Sequence, residues 1–307
     1  MALQLRGKRL ALGWVVGILT LFGLTGCDSS KKTTSPASEE AGAEIEPPVL
    51  QLTFGVYTSD SATEMVMKFA PVLQVLDAML SERLNEPVST TLRVASTYEG
   101  GVDDLVEGRV DFARMGPASY VMAKELNPGI RILAIESKKG SKIFQGVICV
   151  HADGDINEIA DLKGERFAFG DSRSTIGRFL AQELLVENGI RAADLAGFDY
   201  LGRHDKVGMA VGRKKYAAGA LKEGTFKKLV AAGEPIRSIA SFPNVTKPWI
   251  ARAGMEPRLF EAIHQTLLAL EDDGALKALK KDGFLSGDDS DYDSIREAIE
   301  ASRSFDS

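Results

Sequence analysis

From residue 50 onward, short segments patterned like β-strands alternate with longer segments patterned like helices. Residues 50–56 alternate apolar and polar side chains, whereas residues 63–84 repeat apolar side chains at three- and four-residue spacing. Further strand-like segments follow at residues 91–95, 110–115, 130–136, 144–151, 167–170, 198–201, 216–220 and 236–242. Strands that alternate with helices at this spacing predict βαβ units on largely parallel sheets, which is the doubly wound α/β class.

The alternation falls into two series, which predict two lobes. We expect lobe 1 at residues 50–143, with residues 248–307 packing back on it, and lobe 2 at residues 144–247. In such folds ligands bind at the carboxyl ends of the strands. We therefore expect a ligand in a cleft between the lobes.

The amino-terminal segment carries the features of a secretory signal. Three basic residues precede a mostly apolar run at residues 10–24, which is shorter than the ~20 residues that a membrane-spanning helix needs. This pattern predicts a signal peptide at residues 1–26. Residues 24–27, Leu-Thr-Gly-Cys, resemble the bacterial lipobox, in which the cysteine is lipidated. The alternative is a plain signal peptide that is followed by an incidental Cys27.

Residues 27–49 contain few large apolar side chains and are rich in Ser, Thr, Glu, Ala and Pro. Such a segment cannot bury enough surface to fold, so we expect a flexible tether. We expect the protein outside the cytoplasm, anchored to the cell membrane through lipid on Cys27. Asp28 resembles the inner-membrane retention signal of some Gram-negative bacteria, which would place the protein on the periplasmic face of that membrane.

The charge of the chain argues against nucleic acid as a partner. The formal net charge is −6, and removal of residues 1–26 leaves 34 basic and 43 acidic residues. Nucleic-acid binding calls for a basic surface.

Polar residues begin several predicted helices directly after strands. Ser174 and Thr175 follow the strand at residues 167–170, and similar helix starts occur at residues 96–98, 116–120 and 202–205. A helix start offers unpaired backbone N–H groups and a partial positive charge, which favour an anion. The alternative is ordinary helix capping, because Ser and Thr are common N-cap residues. If the sheets are parallel, the four helix starts converge on one cleft.

Four segments together resemble the phosphate-, phosphite- and phosphonate-binding proteins that feed ABC transporters. They are FGVYTSDSATEMVMKFAPVL at 54–73, STYEGGVDDLVEGRVDFARMGPASYV at 96–121, DLKGERFAFGDSRSTIGRFL at 161–180, and LGRHDKVGMAVGRKKYAAGALKEG at 201–224. The resemblance extends from about residue 53 to residue 253.

This resemblance implies a type II periplasmic-binding-protein fold, in which two α/β lobes are joined by two hinge crossings and close on the ligand. The crossings would lie near residues 142–146 and 243–248. An ABC permease in the inner membrane is the implied partner and a small phosphorus oxyanion is the implied ligand. No cofactor is implied, and we expect a monomer.

The resemblance also implies site residues. The serine and threonine of the D-x-x-S-T-x-G turn are Ser174 and Thr175, the histidine of the G-x-H element is His204, and the aromatic residue of lobe 1 is Tyr98. Tyr98 has an alternative interpretation as a cap on the apolar edge of its helix, and His204 as a solvated helix residue. Three weaker candidates are Thr58, Ser119 and Lys247.

Lys247 bears on the choice of ligand. Aminophosphonate binders of the family have an acidic residue ahead of a proline after the second hinge, whereas this chain has Lys247 before Pro248. The ammonium group of 2-aminoethylphosphonate would meet a like charge there, which is unfavourable. Glu223 is another acidic candidate. We therefore expect phosphate, phosphite or a simple alkylphosphonate.

The sequence gives no support to an enzyme. Its three histidines lack metal-ligand spacing, and neither a G-x-S-x-G elbow nor a phosphate-binding P-loop is present. The acidic run at residues 286–291 lacks the spacing of a calcium-binding EF-hand. Two alternatives to import stay open: the same fold acting as the ligand-binding component of a membrane sensor, and a binding protein for a different small anion.

Overall fold

The computed structural model of the protein describes residues 48–58 and 62–307. The predicted signal peptide, Cys27 and residues 28–47 of the predicted tether lie outside the described residues. Within the described part, no helix combines the length and apolar character needed to cross a membrane.

Strands and helices alternate along the described chain as the sequence predicts. The strands are β1 (Leu50–Tyr57), β2 (Val88–Ala95), β3 (Phe112–Arg114), β4 (Arg131–Ser137), β5 (Ile143–His151), β6 (Arg166–Phe169), β7 (Gly197–Tyr200), β8 (Ala218–Lys222), β9 (Ile236–Val245), β10 (Pro248–Ala251) and β11 (Gly283–Leu285). The helices are α1 (Ala62–Leu84), α2 (Tyr98–Val106), α3 (Pro117–Leu126), α4 (Leu180–Glu187), α5 (His204–Gly212), α6 (Glu223–Ala231), α7 (Pro257–Leu268), α8 (Asp273–Leu279) and α9 (Asp293–Arg303).

Two sheets form the centres of two lobes. The first has the strand order β11-β4-β10-β3-β1-β2, and the second has the order β7-β6-β8-β5-β9. In each sheet four strands run in the same direction, as expected for largely parallel sheets, and the others run in the opposite direction. β1 pairs in parallel with β2 and β3, as β6 does with β7 and β8, whereas β10 and β5 pair antiparallel with their neighbours. The antiparallel strands adjoin the crossings between lobes, where the chain enters a sheet from the opposite direction.

The core of lobe 1 explains the helical pattern of residues 63–84. The apolar face of α1 is fully buried at Phe69, Leu76 and Leu80. α1 continues through Pro71 as one helix. Phe54 of β1 stacks on Trp249 of β10 with ring centroids 4.5 Å apart, so the returning strand is packed into the centre of lobe 1.

The two crossings lie side by side. The first joins β4 to β5, and the second joins β9 to β10. The N–H of Thr246 donates to the carbonyl of Lys142 at 2.6 Å, and the N–H of Glu136 donates to the carbonyl of Lys247 at 3.1 Å. The Thr246 hydroxyl donates to the Glu136 carbonyl. The crossings are therefore bound to each other by hydrogen bonds.

The carboxyl-terminal helices divide between the lobes. We expected residues 248–307 to pack back on lobe 1, and α7 and α8 do contact α1 there. α9, however, contacts α4 of lobe 2 as well as α3 of lobe 1. Phe305 follows α9 and packs against Phe169 and Phe198 of lobe 2, with ring centroids 5.6 and 5.4 Å apart. This aromatic contact joins the residues after α9 to lobe 2.

Candidate functional site

A small cavity lies between the lobes, with about 20 Å³ open to the centres of water molecules. Lobe 1 contributes Tyr57, Tyr98, Gly116 and Pro117; lobe 2 contributes Phe144, Ser174, Thr175, Ile176, His204, Lys222 and Asn244; the second crossing contributes Lys247. The structure therefore brings five of the seven predicted ligand-binding residues to one cavity.

Ser174 and Thr175 lie where β6 gives way to a helix. A π-helical turn at Thr175–Phe179 leads into α4, and Ser174 is its N-cap. The Ser174 hydroxyl oxygen accepts from the N–H of Gly177 at 3.0 Å, and the Thr175 hydroxyl oxygen accepts from the N–H of Ala118 at 2.9 Å. A hydroxyl has one proton to donate besides its lone pairs. Among the described residues neither hydroxyl has a bonded acceptor, so each can donate its proton into the cavity.

Two glycines allow this turn to form. The N–H of Gly170 donates to the carbonyl of Gly177 at 2.8 Å. A Cβ at Gly170 would lie 3.0 Å from the Gly177 Cα, and a Cβ at Gly177 would lie 2.8 Å from the Gly170 Cα. The close approach of the two backbones therefore explains Gly177, the glycine of the D-x-x-S-T-x-G pattern, and Gly170, which directly precedes that pattern.

The lobe 1 wall is built around Tyr57 at the end of β1. The N–H of Gly116 donates to the Tyr57 hydroxyl at 2.6 Å, and the Ser119 hydroxyl lies 2.9 Å from the same oxygen. Burial raises the pKa of Tyr57, so its phenol is neutral at physiological pH. Tyr98 packs on Tyr57 with ring centroids 4.1 Å apart. The two rings form the lobe 1 wall of the cavity, and the Tyr57 hydroxyl is bonded within it.

Two predicted residues do not line the cavity. The Thr58 hydroxyl donates to the carbonyl of Ser96 at 2.8 Å, which joins the ends of β1 and β2. Ser119 is buried behind Tyr57 and reaches the cavity only through the Tyr57 hydroxyl. His204, by contrast, is the first residue of α5 and lines the cavity with 4% of its surface exposed.

Tyr57, Phe144, Lys222 and Asn244 line the cavity but were not predicted from the sequence. Tyr57 directly precedes Thr58, which was predicted because it lies at the end of a strand. The same position in the chain could have identified Tyr57. Asn244 is only 3% exposed, and its Oδ1 has no hydrogen-bond partner within the described residues. A buried polar atom of this kind normally has a partner. Because an amide oxygen only accepts, the partner that it would take is a hydrogen-bond donor.

Basic residues surround the inner end of the cavity. Burial lowers the pKa of Lys247 well below its usual range, and the nearby charges of Arg114, Lys222 and Lys68 lower it further, whereas Glu136 raises it. An anion in the cavity would favour the charged ammonium form of Lys247. The cavity is therefore electrostatically suited to an anion.

Glu136 of β4 bonds to several neighbouring side chains, two of which are basic. Its carboxylate accepts from the Arg114 guanidinium at 2.6 and 3.0 Å, lies 3.3 Å from the Lys281 Nζ, and accepts from the Trp249 indole N–H at 3.3 Å. Burial alone would raise the pKa of Glu136, but Arg114, and then Lys281, hold it well below its usual range. This buried ion pair holds the Arg114 and Glu136 side chains in place near Lys247.

The lobes also contact each other around the cavity. Besides the hydrogen bond from Ala118 to Thr175, Arg173 of lobe 2 pairs with Glu99 of lobe 1 at 2.7 Å. Within residues 48–58 and 62–307, no group of three or more His, Cys, Asp or Glu side chains could hold a metal ion. The arrangement offers donors and positive charge for binding.

Comparisons with known proteins agree with this chemistry. The family model described as "ABC transporter, phosphonate, periplasmic substrate-binding protein" matches residues 54–292. The "Phosphate-import protein PhnD" of Mycolicibacterium smegmatis is 22% identical over an alignment of 312 positions, gaps included, that covers 91% of each chain. The "Phosphonates-binding periplasmic protein" of Escherichia coli is 26% identical over 204 residues, which cover 64% of this chain and 56% of the relative. A structure of PhnD1 from Prochlorococcus marinus in complex with methylphosphonate has a TM-score of 0.68 at 20% identity, covering 81% of this chain and 96% of that one.

Proposed function

Because the chain belongs to the family of periplasmic substrate-binding proteins of phosphonate ABC transporters, we propose that the cavity between its lobes captures a small phosphorus oxyanion for import. Members of this family bind substrates for transport and are not enzymes. We also propose the identity of the ligand, the roles of the residues that line the cavity, and the lipid anchor.

The observation that carries the proposal is the hydrogen bonding of Ser174 and Thr175. Both hydroxyl oxygens accept backbone N–H groups, and neither donates to a described residue, so both protons can be donated to an acceptor in the cavity. They lie at the start of a helical segment, where the partial positive charge favours an anion. His204 adds a ring that can donate a charge-assisted bond when it is protonated. Tyr98 contributes the opposite wall.

The charges around the cavity favour a ligand without an ammonium group. No acidic residue lines it within the described part of the chain. Lys247 and Lys222 do line it, and Glu223, the acidic candidate from the sequence, pairs with Lys227 at 2.6 Å and faces a different cavity. An aminophosphonate would bring its ammonium group toward like charges. We propose phosphate, phosphite or an alkylphosphonate as the ligand.

Titration calorimetry on the purified protein tests the proposal. The protein is stripped of ligand by unfolding and refolding and is then titrated with phosphate, phosphite, methylphosphonate, 2-aminoethylphosphonate and sulfate. We expect one of the first three to bind at least tenfold more tightly than the aminated compound and sulfate. Tighter binding of 2-aminoethylphosphonate would contradict the argument from Lys247. Tighter binding of sulfate than of any phosphorus compound would show that the proposed ligand class is wrong.

We further propose that Cys27 carries a lipid that anchors the protein as a monomer to the membrane beside an ABC permease. Several acyl chains on one cysteine hold a protein more firmly than the reversible binding of a single chain. Labelled palmitate should be incorporated into the wild-type protein, and Cys27→Ser should remove the label. Cys149→Ser is the matched control, because Cys149 is a buried free thiol and should leave the label unchanged. Equal labelling of both variants would contradict the anchor.

A further inference from the structure

Asn244 is a buried polar residue of the ligand cavity whose side-chain oxygen is not bonded by the protein. It lies near the end of β9, is 3% exposed and lines the cavity. Its Oδ1 has no hydrogen-bond partner in the described part of the chain. The hydroxyl groups of Ser174, Thr175 and Thr246, which are comparably buried, each take part in a hydrogen bond. A buried acceptor normally has a partner, so Asn244 points to a ligand group.

The position of Asn244 on its strand explains why the side chain reaches the cavity. Side chains two positions apart on a strand lie on the same face, and Phe242 and Asn244 are both buried, whereas Ser241 and Pro243 are exposed. Asn244 pairs with Phe144 of β5, which also lines the cavity. The amide therefore continues an otherwise apolar, buried face of β9. A polar group in such a place is costly to bury unless a partner compensates it.

The amide oxygen sets a chemical requirement on that partner. It only accepts, so its partner must donate a hydrogen bond. A fully ionised tetrahedral anion has only accepting oxygens and would bring one acceptor against another. A phosphorus oxyanion that keeps one proton has a P–OH group that donates, and its ionised oxygens accept from the Ser174 and Thr175 hydroxyls. The protonated anion therefore matches both kinds of side chain.

The small size of the cavity brings one ligand group to all three side chains. About 20 Å³ is open to the centres of water molecules, and a single water needs about 10–15 Å³ measured in the same way. The cavity therefore holds one compact group. Ser174, Thr175 and Asn244 all line it, so a compact oxyanion meets the two hydroxyls and the amide together.

We propose that the ligand binds with one oxygen protonated and that its P–OH group donates a hydrogen bond to Asn244 Oδ1. The inference rests on the proposed function, because it concerns the phosphorus oxyanion in the same cavity. Phosphate, phosphite and alkylphosphonates all have a form with a P–OH group near neutral pH, whereas sulfate and sulfonates are fully ionised there. Asn244 is thus the residue that distinguishes phosphorus oxyanions from sulfur oxyanions of the same shape and charge.

Calorimetry with matched ligand pairs tests the inference on the wild-type protein. Phosphate is compared with sulfate at about pH 8, where both are dianions. Methylphosphonate is compared with methanesulfonate at about pH 6, where both are mostly monoanions. Phosphite at that pH is compared with hypophosphite, which has a hydrogen atom in place of the OH group. In every pair that binds, we expect at least tenfold tighter binding of the P–OH member, because a site that hydrogen-bonds a donor rejects the analogue without it.

Three variants test whether the Asn244 oxygen causes the preference. Asn244→Leu keeps the size of the side chain but removes the acceptor, and it should reduce the affinity ratio within each pair at least fivefold. Asn244→Asp keeps an accepting oxygen and should retain a ratio of at least tenfold. Asn188→Leu is the matched control, because Asn188 is exposed at the end of α4 and does not line the cavity. Its ratio should equal that of wild type.

The outcomes separate this inference from the proposed function. If a phosphorus oxyanion binds to wild type but its partner binds within threefold, the P–OH contact is wrong and capture of a phosphorus oxyanion stands. If folded Asn244→Leu weakens both members of a pair equally, the amide serves the ligand through its N–H groups, and the inference is overturned. If Asn244→Leu does not fold, the wild-type ratios and Asn244→Asp decide. If no phosphorus oxyanion binds, the proposed function fails as well.

Discussion

Replacement of both Ser174 and Thr175 by alanine should greatly weaken binding of the phosphorus oxyanion. The double variant removes two hydroxyl donors from the cavity and puts two methyl groups in their place. A hydrogen bond to a charged group contributes about 1.5–3 kcal/mol. The loss of two should weaken binding about a hundredfold to ten-thousandfold, as measured by calorimetry.

Two matched variants show whether the hydroxyls themselves are responsible. Ser172→Ala changes an exposed serine of the same turn and should leave the affinity unchanged. Thr175→Ser retains the hydroxyl that accepts from Ala118 and should retain most of the affinity. Since Ser174 caps the following turn, its removal should also cost about 1 kcal/mol of stability, which a thermal melt monitors. A folded double variant that binds within fivefold of wild type would contradict the proposed site.

Glu136→Gln should cause the largest loss of stability. Glu136 is fully buried and accepts two hydrogen bonds from Arg114, with Lys281 also nearby. Removal of one partner from a buried ion pair typically costs about 3–5 kcal/mol, because the remaining charge is left uncompensated. At about 2–4 °C per kcal/mol, the melting temperature should fall by roughly 6–20 °C.

The same carboxylate should make the wild-type protein sensitive to acid. The pKa of Glu136 is held well below its usual value in the folded state, whereas an unfolded glutamate titrates near pH 4.3. Its stabilising contribution is therefore present above about pH 4.3 and is lost as the pH falls toward the folded pKa. The difference in stability between wild type and Glu136→Gln should narrow in that acidic range.

Glu223→Gln is the control for this prediction. Glu223 forms a partly exposed pair with Lys227, and such pairs contribute about 0.2–1 kcal/mol. Its melting temperature should stay close to that of wild type. Equal melting temperatures for wild type and Glu136→Gln would show that the buried pair does not stabilise lobe 1.

The sequence was informative where local pattern determines structure. Residues 63–84 carry a regular apolar face, and α1 forms there with Phe69, Leu76 and Leu80 buried. The strand-to-helix turns at Ser174 and His204 were recognisable because turn and capping residues act over a few positions. That these residues hold the ligand stays a prediction.

Long-range contacts explain what the sequence did not reveal. Asn244 and Lys222 reach the cavity only because β8 and β9 both pair with β5. Thr58 and Ser119 were near strand ends as expected, but their hydroxyl groups bond the Ser96 carbonyl and the Tyr57 hydroxyl. The antiparallel strands beside the crossings also depend on how the lobes are joined, which no local pattern encodes.

The position of α9 has a consequence for opening of the cleft. α9 packs on α3 of lobe 1 and α4 of lobe 2 at the same time, and none of its residues lines the ligand cavity. A rigid rotation that separates α3 from α4 must part α9 from one of them and expose the apolar surface between them. That exposure adds to the free energy of opening. The conformational equilibrium of the empty protein is therefore set partly by the carboxyl-terminal helix, so sequence changes there can alter apparent affinity without touching the ligand.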